Sequence, residues 1–248
     1  MNSLLQRLAH EGDISWLSYY FADFICSRDG ATIDSLLAHS AALVSEANLA
    51  GNVCVELEHF DGRALFPGNR SDDPRMPRGL PPGEWCAALE SSCCVGAGGQ
   101  PAPLILEANR LYLNRYWYYE HRVAQKILAM LTHNTINDGA RIEAGIKALF
   151  ADQQDSDEDQ ASAVRAAASR AFSVISGGPG SGKTSTVIRI LAILLAQNPG
   201  YRIALAAPTG KAAARMMDSI RQRLESLQID SGIKAALPLE ARTIHRLL

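Results

Sequence analysis

Apolar residues recur at helical spacing over residues 14–26 (ISWLSYYFADFIC) and 33–50, which predicts two helices. Asp13 stands where an N-cap would open the first, and Gly51 lies just past the end of the second. Residues 53–57 alternate apolar and polar, as a strand with one buried face does. Gly and Pro recur through 60–83, predicting an irregular loop, and a short helix follows at 85–89. After a second breaker cluster at 96–103, the runs 104–107 and 110–113 flank Ala108 and Asn109. Two strands joined by two residues, one of them Asn, read as a β-hairpin. Helices are expected next at 118–131 and 140–150.

The stretch ADQQDSDEDQ then carries five acids among residues 152–159 and almost no apolar side chain, the composition of a linker. It divides the chain into an N-terminal domain at 1–150, a linker at 151–159 and a second domain at 160–248. Beyond the linker the pattern becomes α/β. An Ala-rich helix at 161–171 precedes a short apolar strand at 172–176, a glycine loop and a helix at 184–197. The turn Asn198-Pro199-Gly200 leads to a buried strand at 202–207 and a helix at 211–227. Strands alternating with helices at this spacing imply a parallel sheet with helical crossovers, preceded here by a smaller, mixed, mostly helical domain with a hairpin.

Composition narrows the classes. The chain has 248 residues, 47% hydrophobic and 20% charged, enough to bury a core and unlike a disordered or fibrous sequence. Its net charge of −2 conceals a split: residues 1–159 carry 12 basic against 22 acidic groups, and residues 160–248 carry 12 against 4. The basic half suits a polyanionic partner. The longest apolar run, 187–196, is interrupted by Arg189, so no span crosses a bilayer. The first residues lack the basic and apolar regions of an export signal, and a cytoplasmic location is expected. The five cysteines form no C-x-x-C pair and read as reduced thiols.

The chemistry concentrates at Gly177-Gly178-Pro179-Gly180-Ser181-Gly182-Lys183-Thr184, a full match to G-x-x-x-x-G-K-[ST] between a predicted strand and a predicted helix, with Ser185 next in the helix. Triphosphate oxygens must be met by several converging backbone N–H groups, so the chain has to wrap tightly, which glycines permit. The helix start adds partial positive charge. Lys183 can reach the β- and γ-phosphates, and the Thr184 hydroxyl can ligate Mg²⁺. ATP with Mg²⁺ is the expected ligand. Phosphate loops alone leave kinases, GTPases, transporters and helicases open.

Pro208-Thr209-Gly210-Lys211 ends the second strand, where α/β sheets hold ligands. Its hydroxyl and N–H groups, with Arg215 nearby, either meet a phosphodiester or cap their own helix. SVISGGPGSGKTSTV followed by IALAAPTGKAAARM resembles motifs I and Ia of superfamily 1 DNA helicases, specifically the RecD subunits of the RecBCD (exodeoxyribonuclease V) complex. ARTIHRLL is similar to a later stretch of that family, and GNVCVEL and PLILEANRLYLNRYW resemble its N-terminal, RecC-docking domain. The resemblance implies a P-loop, RecA-like parallel sheet with flanking helices, incomplete here. It implies ATP and Mg²⁺ at Gly177 to Thr184, adenine at Gln160, and single-stranded DNA at Pro208, Thr209, Gly210 and Lys211. Thr243 and His245 match a T-x-H stretch, with His245 equally readable as a packing residue. RecB- and RecC-like partners are implied, as is 5′ to 3′ translocation in double-strand break repair.

The aromatic run Tyr112, Tyr116, Trp117, Tyr118 and Tyr119 lies in the acidic half and is assigned to packing or to a RecC-like partner. After Lys183 the acids are Asp218, Glu225, Asp230 and Glu240, none in the Asp-Glu pair that would hold Mg²⁺ through water and orient the attacking water. Two readings stay open. The chain is the front part of an ATP-dependent helicase subunit, inactive as these 248 residues alone, or it is a noncatalytic module that docks on a RecC-like partner and only binds nucleotide.

Overall fold

Ser3, Ser15 and Ser35 open the first three helices of the computed structural model, each accepting a backbone N–H of the first turn through its hydroxyl. The structure describes residues 3–66, 76–132, 138–151, 158–178, 180–226, 229–238 and 240–248. The helices are α1 (Leu4–Glu11), α2 (Trp16–Asp29) and α3 (Leu36–Leu49), and left-handed Gly12 and Gly30 close the first two. Ser15 caps α2, not the expected Asp13, because its hydroxyl meets the N–H of Ser18. α1 was absent from the sequence reading.

Next come β1 (Cys54–Glu56), a 3₁₀ turn at Leu57–Phe60, α4 (Pro82–Glu90), β2 (Val95–Gly96), β3 (Leu104–Glu107) and β4 (Arg110–Leu113). The sheet order is β1-β4-β3-β2, with β2 parallel to β3 and the other pairs antiparallel. The hairpin falls where the sequence predicts it. Ala108 and Asn109 both have positive φ, 47° and 62°, as a two-residue type I′ turn requires. Period-two alternation sends Leu104 and Leu111 into a core with Leu5, Ile25, Leu57 and Trp85, and Ile105 and Tyr112 to the opposite face beneath Trp117. The buried Trp85 indole N–H donates to Ser40 Oγ at 2.8 Å, so no donor is stranded. All five cysteines are free thiols; burial pushes the Cys94 thiol up to about 11.

The chain divides into two compact units, Met1–Gln125 and Lys126–Leu248, the division falling within α5 (Asn114–Thr132). The sequence reading placed the boundary at 151–159, of which 152–157 lie outside the described residues. The difference has a physical cause: α6 (Gly139–Leu149), capped by Asp138, buries Ile142 and Ile146 against α7 (Glu158–Ser169) and α8 (Lys183–Gln197), and so shares the second unit's core.

In that unit follow β5 (Leu205–Ala207), α9 (Gly210–Ser226), α10 (Ser231–Ala236), β6 (Ala241–Thr243) and α11 (Ile244–Leu247). A second cluster of Ile188, Leu195, Met217, Ile220 and Leu237 packs α8 with α9. β5 and β6 pair in parallel, Leu205 opposite Ala241 and Ala207 opposite Thr243. The strand expected at 202–207 is thus confined to its last three residues. The one expected at 172–176 joins no ladder among the described residues, and Val174 is 78% exposed. A strand requires a neighbour to take its N–H and C=O groups, which local sequence does not supply. Among the described residues no helix is long and apolar enough to cross a membrane.

Candidate nucleotide-binding site

The glycine loop bends through two left-handed positions, Gly180 at φ 81° and Gly182 at φ 77°, conformations that side-chain-bearing residues rarely adopt. Gly182 is the N-cap of α8 and offers no side chain to its first turn, so the helix start keeps its N–H groups for an external acceptor. Lys183, the first residue of α8, folds back over the loop. Its Nζ donates to the carbonyls of Gly177 and Gly178, both at 2.6 Å, and to Ser181 Oγ at 3.3 Å. The ammonium therefore stands inside the ring of backbone that a phosphate would enter. Thr184 follows, half-buried in the same turn. Ser185 is buried and accepts a short hydrogen bond from Arg223 of α9, so its hydroxyl is turned away from the loop. Pro179 lies outside the described residues.

Gln160, in the first turn of α7, comes to this loop from a distant part of the chain. A Cβ placed on Gly182 would stand 2.8 Å from Gln160 Nε2, which shows how closely the amide rests on the glycine. Gln160 Oε1 accepts from Arg189 Nη1 at 2.9 Å, and the Thr186 hydroxyl lies 3.4 Å from Oε1 and 3.2 Å from the Gly182 carbonyl. The cleft between them measures about 470 Å³ and is lined by Asp159, Gln160, Ile175, Gly177, Ser181 and Lys183 among others. Loop, lysine and glutamine thus share one concavity, with a cationic and N–H-rich floor and a polar amide on its wall. The backbone fits a polyphosphate: uncapped helix N–H groups and the Lys183 ammonium converge there. The sequence does not single out Arg189, which falls in an apolar run where the pattern announces only burial, or Thr186, which lies just beyond the motif.

The second group of candidates stands at the ends of β5 and β6. Thr209 Oγ1 accepts the N–H of Ala212 at 3.2 Å, which makes this threonine the cap of α9. The self-capping alternative therefore describes its hydroxyl, while Gly210 and Lys211 form the exposed first turn after Pro208. Because Ala207 is opposite Thr243, the segments at 208–211 and 243–245 leave adjacent parallel strands at the same end. His245 is exposed in α11. A cleft of about 700 Å³ beside them is lined by Gly210, Arg221, Arg242, Thr243 and Arg246, with Asp218 and Glu240. Those three arginines were not singled out in the sequence, since no short spacing links them.

The aromatic run divides. Tyr112 and Trp117 are buried, with Trp117 Nε1 donating to Glu107 Oε2 at 3.0 Å and its ring stacked on His121. Tyr118 and Tyr119 are exposed.

Comparison with known proteins adds two matched segments. Residues 10–112 fit the model of the N-terminal domain of the RecBCD enzyme subunit RecD, and residues 160–248 fit that of an AAA domain. The RecBCD enzyme subunit RecD of Mycobacterium tuberculosis is 38% identical, the match covering 100% of this chain and 40% of that protein. The same subunit from Mycolicibacterium smegmatis is 36% identical over 87% of this chain and 36% of its own length. That of Haemophilus influenzae is 32% identical over 100% of this chain and 42% of its own length. The chain thus spans about two fifths of the length of the curated relatives it matches.

Proposed function

We propose, from the similarity of the chain to RecD subunits, that the second unit binds ATP with Mg²⁺ as the front of the motor of an ATP-dependent DNA helicase subunit. The observation that carries this reading is the placement of Lys183 Nζ on the Gly177 and Gly178 carbonyls beneath an uncapped helix start, with Gln160 on the wall of the same cleft. On this reading β5 and β6 belong to a RecA-like parallel sheet, and the segment at 172–176 is its phosphate-loop strand.

The loop glycines Gly177, Gly178, Gly180 and Gly182 with Ser181 meet the β- and γ-phosphates, and the first N–H groups of α8, that of Ser185 with them, complete the cradle. Lys183 leaves the loop carbonyls for the phosphate oxygens, a displacement its flexible stem allows. Thr184 places its hydroxyl for Mg²⁺, which when bound neutralises phosphate charge and polarises the terminal phosphoryl group. Gln160 meets the base. Pro208, Thr209, Gly210 and Lys211, together with Thr243 and His245, form the edge along which single-stranded DNA passes; their common position at the ends of β5 and β6 supports this. RecB- and RecC-like subunits are the proposed partners, the exposed Tyr118 and Tyr119 offering a surface to the RecC-like one. The role proposed for the complete assembly is 5′ to 3′ unwinding in double-strand break repair.

Lys183→Ala tests the core of this reading. ATP affinity, measured by calorimetry, is expected to fall roughly a hundredfold or more while the circular dichroism and unfolding curve stay unchanged. Unaltered affinity in the folded variant would sink the assignment.

A further inference from the structure

Within the apolar stretch of α8, one position carries a charge. Arg189 is 2% exposed, and its guanidinium stands over the Phe150 ring at 4.2 Å while Nη1 donates to Gln160 Oε1 at 2.9 Å. Burying a guanidinium is costly, and an apolar side chain of similar volume would pack this helix as well or better. What the arginine supplies that methionine would not is a directed donor. Arginine has no acceptor, so the atom it meets on Gln160 is fixed as the carbonyl oxygen, and the amide cannot rotate by half a turn without losing the bond. The Thr186 hydroxyl, 3.4 Å from the same oxygen, has the nearer Gly182 carbonyl at 3.2 Å for its one proton and accommodates either end of the amide, so the orientation is set by Arg189. With Oε1 drawn toward α8, the amide nitrogen is the end that rests on Gly182, at the loop.

We propose that Arg189 is a positioning residue for base recognition: it holds the Gln160 amide so that N–H donors are presented to the base of the bound nucleotide. This rests on the reading of Gln160 as the residue that meets the base. A donor selects an acceptor edge. Adenine and guanine both offer N7 as an acceptor, and guanine adds O6, whereas pyrimidines have no N7. The site therefore selects purines over cytosine, whose corresponding edge carries a donor amine, and separates ATP from GTP weakly.

Affinities of the 248-residue chain for ATP, GTP, CTP and inorganic tripolyphosphate test this, with tripolyphosphate reporting on the phosphate loop alone. The expected result is ATP and GTP within about threefold of each other and each about tenfold tighter than CTP, the scale of one hydrogen bond. Gln160→Ala and Arg189→Met bring all three nucleotides to one common affinity when each is divided by the tripolyphosphate affinity of the same variant; Arg189→Lys, which keeps a donor, retains part of the preference. If Gln160→Ala leaves the ratios intact, Gln160 does not read the base and the underlying reading falls. If Gln160→Ala flattens them while both Arg189 variants keep them, the role given to Arg189 is overturned. A wild-type chain that rejects GTP as strongly as CTP would overturn the amide orientation. Should Arg189→Met lose tripolyphosphate binding through misfolding, Arg189→Lys decides by the same ratios.

Discussion

The two units close their sheets differently. In the first, four strands pair along the sheet, and alternation covers both faces: Leu104 and Leu111 on one, Ile105 and Tyr112 on the other. In the second, among the described residues, two short strands pair, the core is held in separate clusters on α8, and the apolar segment at 172–176 joins no ladder. The first unit consumes its backbone hydrogen bonds in structure. The second leaves loop N–H and carbonyl groups uncommitted to strands, and its candidate site is made from them. Regions that bind are commonly drawn from the less consolidated part of a protein.

Matched truncations should expose this contrast most strongly. Leu104→Ala, at a fully buried strand position, is expected to destabilise the first unit by about 2–5 kcal/mol in urea unfolding. Val174→Ala, at a residue of similar strand propensity but 78% exposed, should change stability by less than about 0.5 kcal/mol. A comparable loss at both positions would erase the difference between the units.

A smaller effect is expected at the hairpin turn. Asn109→Val forces a β-branched side chain into φ 62° and should cost about 1–2 kcal/mol, whereas Asn109→Gly should be near neutral. Thermal unfolding of the two variants distinguishes a local backbone penalty, which glycine escapes, from loss of the side-chain bonds Asn109 makes with Glu58 and Cys86, which it does not.

The smallest contrast lies in acid. The Ser92 hydroxyl first, and to a lesser degree the Cys93 side chain and the backbone N–H groups of Cys93 and Cys94, hold the Asp29 carboxyl below the usual range against the opposing effect of burial. The Arg165 guanidinium does the same for Glu143, bonding both its oxygens at 2.5 and 3.1 Å. Because both carboxyls are depressed in the folded state, each contributes stability above the ordinary carboxylate range. That contribution is lost as pH falls through the lower, folded value. Asp29→Asn should flatten the acid limb of the first unit. Raising salt to roughly 0.5 M should weaken only the second unit's contribution, since Glu143–Arg165 is an exposed ion pair and Asp29 is held by neutral donors.

How far the sequence was legible follows the same division. The hairpin could be read to the residue because alternation and an Asn at a left-handed turn position are local signals. α8 could be placed because a glycine loop fixes its start. α1 carries its signals, Ser3 and Gly12 around leucines at helical spacing, but in only eight residues, too short a span for the period to stand out. The strand expected at 172–176 has no ladder among the described residues, since pairing is decided by residues elsewhere, and β6, three residues long, gives no periodicity to find. Lys183 was visible in a motif. Arg189 was not, because its meaning lies in what α7 brings to it.

Gly182 carries a consequence for anyone moving this loop into another protein. Its left-handed backbone and its bare Cα serve two separate neighbours, the turn into α8 and the amide from α7. The eight-residue motif is therefore not a portable cassette. A graft limited to 177–184 would reproduce the curve of the loop and lose the wall beside it. A faithful transplant has to take α7 with its glutamine and α8 as far as its arginine, so that the smallest transferable part runs from Glu158 to Gln197.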